Sequence, residues 1–185
     1  MSDFHKGFRL FEDKDTLGRR PCIFYLAYGS NLNLERMKSR CPDAEVVGKT
    51  EIPGYRLLFK KSHSGFYATI EQDANCHVSV LVYKISEYDE ALLNRYEGYP
   101  KHYYKKYFQL PVRTMRGGRL RGEKQCMAYV LHEDRLLGEP SMEYFNLLDE
   151  GYGTWGFDTA ILDKALSDSI GVKLAKEYLR QYEKL

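Results

Sequence analysis

Apolar positions cluster first at residues 22–27, a continuous β-prone run that reads as a strand buried on both faces. The run stops at Gly29. From Asn33 the period changes: Leu34, Met37 and Cys41 recur at helical spacing, Asn33 stands where an N-cap belongs, and Pro42 ends the pattern. This stretch therefore predicts a strand, a sharp glycine turn and a helix. Strand-like segments follow at 46–52, 55–61 and 65–71, broken at Pro53-Gly54 and at the turn around Ser64-Gly65. A stronger strand is predicted over 77–85.

Ser86 and Asp89 then form a capping-box signature ahead of a helix with Tyr88, Leu92 and Tyr96 at i, i+4, i+8. Gly98 suits that helix's left-handed end, and Pro100 prevents its continuation. Strands are expected over 103–113 and 125–132, joined across Gly117-Gly118. A helix is expected over 141–150, ending at Gly151. A glycine-aromatic loop runs from Gly151 through Tyr152 and Trp155 to Phe157, either a core plug or, the favoured reading, a pocket wall. A helix capped by Asp158 and a last charged helix over 173–185 complete the chain. Strands dominate the first two-thirds and helices the end, which predicts an α+β fold over an alternating parallel sheet.

Composition narrows the function classes. At 185 residues the chain suits one domain, and its net charge of +2 argues against nucleic acid or an acidic membrane as the main partner. No apolar run approaches a membrane span, and the first 20 residues mix both charges, which reads as a polar arm or a lid and not a targeting segment. Cys22, Cys41, Cys76 and Cys126 show no metal-ligand spacing and read as free thiols in a reducing cytoplasm; the five histidines form no ligand pair either. No metal or cofactor is expected. The basic tip from Arg113 to Arg121 reads as a solvated hairpin end. The 16 tyrosines, against 9 phenylalanines and 1 tryptophan, suit an orienting cleft as well as a mixed sheet.

Two features could carry chemistry. At Tyr28-Gly29-Ser30-Asn31, a glycine after a buried strand can turn successive N–H groups into one concavity beside a helix start, a place for a carboxylate or phosphate. The turn matches no nucleotide-binding glycine motif, and a plain strand-to-helix turn would look the same. Glu97 sits at the negative end of its helix. There the macrodipole, with aromatic neighbours such as Tyr96, Tyr99 and Tyr104, would raise its proton affinity towards the range useful for acid–base work. An ordinary surface glutamate is the alternative.

The run Tyr25-Leu26-Ala27-Tyr28-Gly29-Ser30-Asn31-Leu32, with Glu97-Gly98, resembles the γ-glutamylcyclotransferase (AIG2-like) family. The resemblance extends over roughly residues 24–157. It implies a mixed, barrel-like sheet with flanking helices, with residues 22–170 as the catalytic domain. Residues 1–21 would then be a polar arm, and 171–185 a C-terminal helix packed on the domain. It further implies that the turn (Tyr28, Gly29, Ser30, Asn31, Leu32) holds a γ-glutamyl group and that Glu97 is the acid/base. Tyr104 and Tyr144, the latter in Pro140-Ser141-x-x-Tyr144, would line the pocket. The implied reaction is cyclisation to 5-oxoproline, with a small-molecule γ-glutamyl substrate as the only partner expected; a homodimer is left open. Asn31 places the chain nearer the relatives acting on γ-glutamyl amino acids than those reading Tyr-Gly-Ser-Leu or Tyr-Gly-Thr-Leu. The aromatic stretch from 152 to 157 departs from the family's small-residue loop. A non-catalytic sensor of small carboxylates on the same fold is the rival reading.

Overall fold

The computed structural model describes residues 9–10, 22–120 and 122–184. The proposed arm over 1–21 lies outside the described residues apart from the backbone of β1 (Arg9–Leu10), which pairs parallel with β3. The other strands are β2 (Ile23–Ala27), β3 (Glu45–Lys61), β4 (Phe66–Ile85), β5 (Tyr103–Leu110), β6 (Arg113–Thr114) and β7 (Lys124–Leu131). They form one mixed sheet in the order β1-β3-β4-β2-β7-β5, antiparallel except where β2 meets β7 and β1 meets β3. Immediately after β5 the chain reaches round to β3, where β6 pairs Arg113 with Lys49 and Thr114 with Gly48. The sheet thus curls on itself, giving the α+β, barrel-like architecture expected.

The helices are α1 (Leu34–Arg40), α2 (Glu87–Glu97), α3 (Met142–Trp155), α4 (Ala160–Ile170) and α5 (Val172–Tyr182). None among the described residues is long and apolar enough to cross a membrane. They cover the sheet, so β7 and the second half of β4 are buried on both faces and read as unbroken apolar runs. Ser169 of α4 pins that helix to the sheet, accepting from the Phe59 amide at 2.8 Å and donating to the Ala165 carbonyl at 2.6 Å. Tyr178 of α5 packs edge-on against Phe145 of α3, with ring centres 5.4 Å apart.

Four expectations are corrected. Pro53-Gly54 does not separate two strands but forms a bulge inside the continuous β3, with the pairing register shifting between Pro53 and Tyr55 and Gly54 at φ +73°. The predicted segments 65–71 and 77–85 are likewise one strand, β4; residues 73–76 bow out opposite the bulge, with the Asp73 carboxylate capping the Asn75 amide at 3.1 Å. On α2, Tyr88 and Tyr96 are exposed, and the inward stripe is instead Asp89, Leu93 and Glu97. Finally, the glycine-aromatic stretch is no loop: α3 runs through Gly151 and Gly153 to Trp155, and Gly156 supplies the left-handed end. Tyr152 and Trp155 are core residues, 0% and 2% exposed, so the plug alternative holds and the pocket wall does not.

Gly48 marks the curl's tightest contact. A Cβ there would lie 1.9 Å from the Arg113 carbonyl oxygen, a backbone atom that cannot move without opening the β3–β6 pairing. Gly48→Ala is therefore expected to lower stability by about 2 kcal/mol or more, at the upper end for overpacking. Urea unfolding of the variant beside wild type checks this; an unchanged midpoint would contradict the closure.

Candidate active site

The turn after β2 is held from three sides. The Tyr28 hydroxyl, buried, donates to the Tyr129 carbonyl on β7. Ser30–Leu32 forms a single 3₁₀ turn, in which the Leu32 amide bonds the Gly29 carbonyl at 2.9 Å. Behind it, the Tyr83 hydroxyl donates to the Asn31 carbonyl at 2.9 Å and the Trp155 indole N–H to the Leu32 carbonyl at 2.8 Å. Asn33 then caps α1 by accepting from the Arg36 amide at 3.0 Å. The Ser30 and Asn31 amides precede the first internal donor of the turn, so its hydrogen-bonding pattern leaves them without a helical acceptor.

Glycine is favoured at 29 for a reason other than the one expected. Its φ of −120° is open to any residue, but a Cβ would stand 3.2 Å from the Tyr144 hydroxyl. The constraint is close approach. Gly151 has the same role on the far side: a Cβ there would meet the Leu32 Cβ at 2.9 Å, so α3 can lie directly against the turn.

Glu97 is delivered by α2, whose start is fixed by the reciprocal Ser86–Asp89 capping box and whose end is fixed by Gly98 at φ +66°. A Cβ on Gly98 would also strike the His102 ring at 2.6 Å. The Glu97 side chain is partly accessible because it faces a cavity of about 580 Å³. Gly29, Ser30 and Asn31 line the same cavity. Loss of hydration pushes the Glu97 carboxyl up to about 7, against the opposing effects of the Arg40 charge and a hydrogen bond from Asn31. Its position at the helix C-terminus acts in the same upward direction.

The remaining wall is largely tyrosine, chiefly Tyr25, Tyr28, Tyr103, Tyr129 and Tyr144; of the aromatic neighbours expected from sequence proximity, Tyr96 also lines the cavity, whereas Tyr99 and Tyr104 do not. Burial raises the pKa of all five hydroxyls, and the Glu97 charge adds to the shift in each. They are neutral donors at ordinary pH. The Tyr144 hydroxyl accepts from the Ala68 amide at 3.1 Å, leaving its own proton for another acceptor.

Of the residues singled out by sequence, Tyr28, Gly29, Ser30, Asn31, Glu97 and Tyr144 meet at this cavity. Two do not. Leu32 is fully buried under α3. Tyr104 lies on the opposite face of β5, its hydroxyl donating to the Glu133 carboxylate and its ring 5.5 Å from that of His132. Tyr103, one residue earlier, takes the inward place. Strand alternation offered no way to choose, since both faces of β5 read aromatic, Lys, aromatic.

Sequence reasoning also missed Arg40. Its guanidinium lies 3.6 Å over the Tyr96 ring, donates to the Tyr96 hydroxyl and the Asn31 side-chain oxygen, and reaches the Ser30 hydroxyl at 3.1 Å. Its helical spacing alone gave no sign of this. Among the described residues no three side chains of metal-ligating type come together.

A family model described as gamma-glutamyl cyclotransferase, AIG2-like, matches residues 25–149. A solved structure named gamma-glutamyl cyclotransferase superposes with a TM-score of 0.65 at 25% identity, covering 78% of this chain and 86% of its own. A protein from Homo sapiens, described as uncharacterised, gives 0.64 at 25% identity, with 79% and 87% covered. A yeast gamma-glutamyl cyclotransferase specific to glutathione shares the fold at TM-score 0.55 and 13% identity, with 79% and 96% covered. No curated protein matches the chain.

The raised Glu97 pKa has a consequence for stability. With about 7 in the folded state against 4.5 for an unshifted glutamate, the fold holds this proton more tightly than the unfolded chain does. The Glu97 contribution therefore falls as pH rises from about 4.5 and levels off above about 7. Glu97→Gln, which does not ionise, should gain on wild type by about 2 kcal/mol between pH 5 and pH 8. Urea unfolding of both proteins at the two pH values measures it; a pH-independent difference would mean the carboxyl is not desolvated.

Proposed function

The chain belongs to the gamma-glutamyl cyclotransferase, AIG2-like family, and on that premise we propose that it cyclises a γ-glutamyl compound to 5-oxoproline with release of the amine portion. One observation carries the reading: a carboxyl group with a pKa near neutrality faces the same cavity as the amide-bearing turn Gly29-Ser30-Asn31.

In this mechanism the turn and the Tyr28 and Tyr144 side chains hold the glutamyl end, with Tyr103 taking the place expected of Tyr104. Ionised Glu97 removes a proton from the substrate's α-ammonium. The freed amine attacks the γ-carbonyl carbon, a C–N bond forms, and charge collects on the carbonyl oxygen, where neutral amide and phenol donors stabilise it. Protonated Glu97 then returns that proton to the departing nitrogen as the original amide bond breaks, and the second proton carried by the new ring nitrogen passes through the regenerated Glu97 carboxylate to the released amine, which leaves as an ammonium. The attacking amine is tethered, so alignment supplies much of the rate; effective molarities for well-oriented intramolecular attack reach about 10⁵ M or more. A single group whose pKa lies near the working pH can serve in both directions. The four cysteines are free thiols, which fits a reducing compartment such as the cytoplasm.

Incubation with a panel of γ-glutamyl amino acids should yield 5-oxoproline, and Glu97→Gln should lower turnover at least ~100-fold. Tight binding without product would favour the sensor reading instead. Because the base must be ionised, kcat/KM should fall on the acid side with a midpoint near 7, about tenfold per pH unit below it. The Arg40 charge lowers the Glu97 pKa, so Arg40→Gln should move that limb to higher pH. A limb that stays in place in this variant would remove Arg40 from the assignment.

A further inference from the structure

The hairpin that joins β3 to β4 borders the cavity, and its contacts lead to Tyr144. Its tip, residues 62–65, is closed by the Ser62 amide, which donates to the Gly65 carbonyl at 2.9 Å. Tyr67, the second residue of β4, lies against that tip. A Cβ on Gly65 would stand 3.5 Å from its ring and hydroxyl, and its hydroxyl is 2.8 Å from that of Ser64. The Tyr67 ring then meets the Tyr144 ring edge to face, with centres 5.0 Å apart and planes at 86°. Both residues line the cavity.

Tyr144 is held by two contacts that constrain different things. β2 pairs with β4 only over residues 81–85, so at Ala68 no described strand pairs with the second edge of β4. The Ala68 amide donates to the Tyr144 hydroxyl instead, at 3.1 Å. That bond fixes where the phenol oxygen sits, beside Gly29, where a Cβ would be 3.2 Å away. It leaves the ring free to turn about its long axis. A phenolic O–H bond lies in the plane of its ring, because the oxygen lone pair conjugates with the ring, so turning the ring re-aims the proton. An edge-to-face neighbour sets that plane, and such pairs contribute beyond the area they bury. Tyr28 offers no substitute, since its own proton is committed to the Tyr129 carbonyl.

We propose that Tyr67 is a positioning residue of this site: by fixing the plane of the Tyr144 ring it aims the Tyr144 proton at the glutamyl end of the substrate. It acts through Tyr144 and needs no contact of its own with the reacting atoms. The kinetic consequence rests on the reaction proposed above; the structural one does not.

Tyr67→Leu keeps much of the volume and removes the aromatic edge. With γ-glutamylalanine it should lower kcat/KM about threefold to tenfold, in the same constant, kcat or KM, that Tyr144→Phe changes. Tyr67→Phe, which keeps the ring, should restore most of the loss. In the Tyr144→Phe background there is no proton to aim, and Tyr67→Leu should cost nothing further. A full-sized loss in that background, or no loss when Tyr67→Leu is made alone, would overturn the assignment. Should Tyr67→Leu fail to fold, Tyr67→Met takes its place in the same cycle. Absence of 5-oxoproline from the wild-type reaction would instead overturn the proposed function, and hydrogen exchange of the Ala68 amide then decides the positioning role without turnover. Corrected for the intrinsic rate of the altered sequence, that amide should exchange about threefold faster or more in Tyr67→Leu and return to the wild-type rate in Tyr67→Phe. An unchanged rate in Tyr67→Leu rejects the role.

Discussion

A carboxyl group at the end of a helix, turned away from bulk water, has two forces opposing its ionisation and needs groups from elsewhere to oppose them. Here those groups come from the turn after β2 and the helix that follows it. Asn31 hydrogen-bonds Glu97, and Arg40 contributes its charge. The balance leaves the carboxyl near neutrality, neither a fixed anion nor a permanently neutral acid. Much of the fold serves to bring the end of α2 and the start of α1 to one cavity and keep them there.

The sheet does this through closure and close approach. β7 lies between β2 and β5, and so relates the strand that carries the turn to the strand that carries Tyr103. The curl depends on the bare backbone of Gly48 against β6, and the seating of the turn on that of Gly151 against Leu32. Neither glycine has a left-handed backbone; what each supplies is missing volume. Asp89 and Gly98 fix the two ends of α2, so the direction in which Glu97 points follows from the capping of its own helix.

What the sequence made legible follows the same division. Local signals were reliable: Asn33 as a cap, the Ser86–Asp89 box and Gly98 as a helix end all appear where their chemistry places them. The turn and Glu97 were also readable, since each stands at a helix boundary. Features set by distant contacts were not. Gly151 looked like a stop signal because glycine usually is one, whereas here it is a notch for Leu32. Pro53-Gly54 looked like a strand break because the strand opposite, which absorbs the bulge, is invisible locally. Tyr104 was preferred to Tyr103 on the family resemblance, and the two rows of β5 carry nearly the same residue types, so polarity could not correct it. Arg40 gave no signal at all, since its partners are a turn and a ring from another helix.

Asn31 shows why a short polar side chain at the turn matters beyond the backbone it sits on. A guanidinium has only donors, so the Asn31 oxygen must face Arg40 and its amide nitrogen must face inward. That nitrogen donates to the Tyr25 hydroxyl at 2.7 Å and also serves Glu97. The orientation of one amide is thus settled by a charge on α1 and read by a carboxylate on α2. A leucine in its place would leave Arg40 short of an acceptor and Glu97 short of a donor at once, and the cavity would lose the group that couples its two functional ends. An aspartate would satisfy Arg40 but turn a second negative charge towards Glu97, raising its proton affinity further. Of the common side chains of this size, the amide alone offers an acceptor outward and two donors inward, and the acid–base balance of the site is built around it.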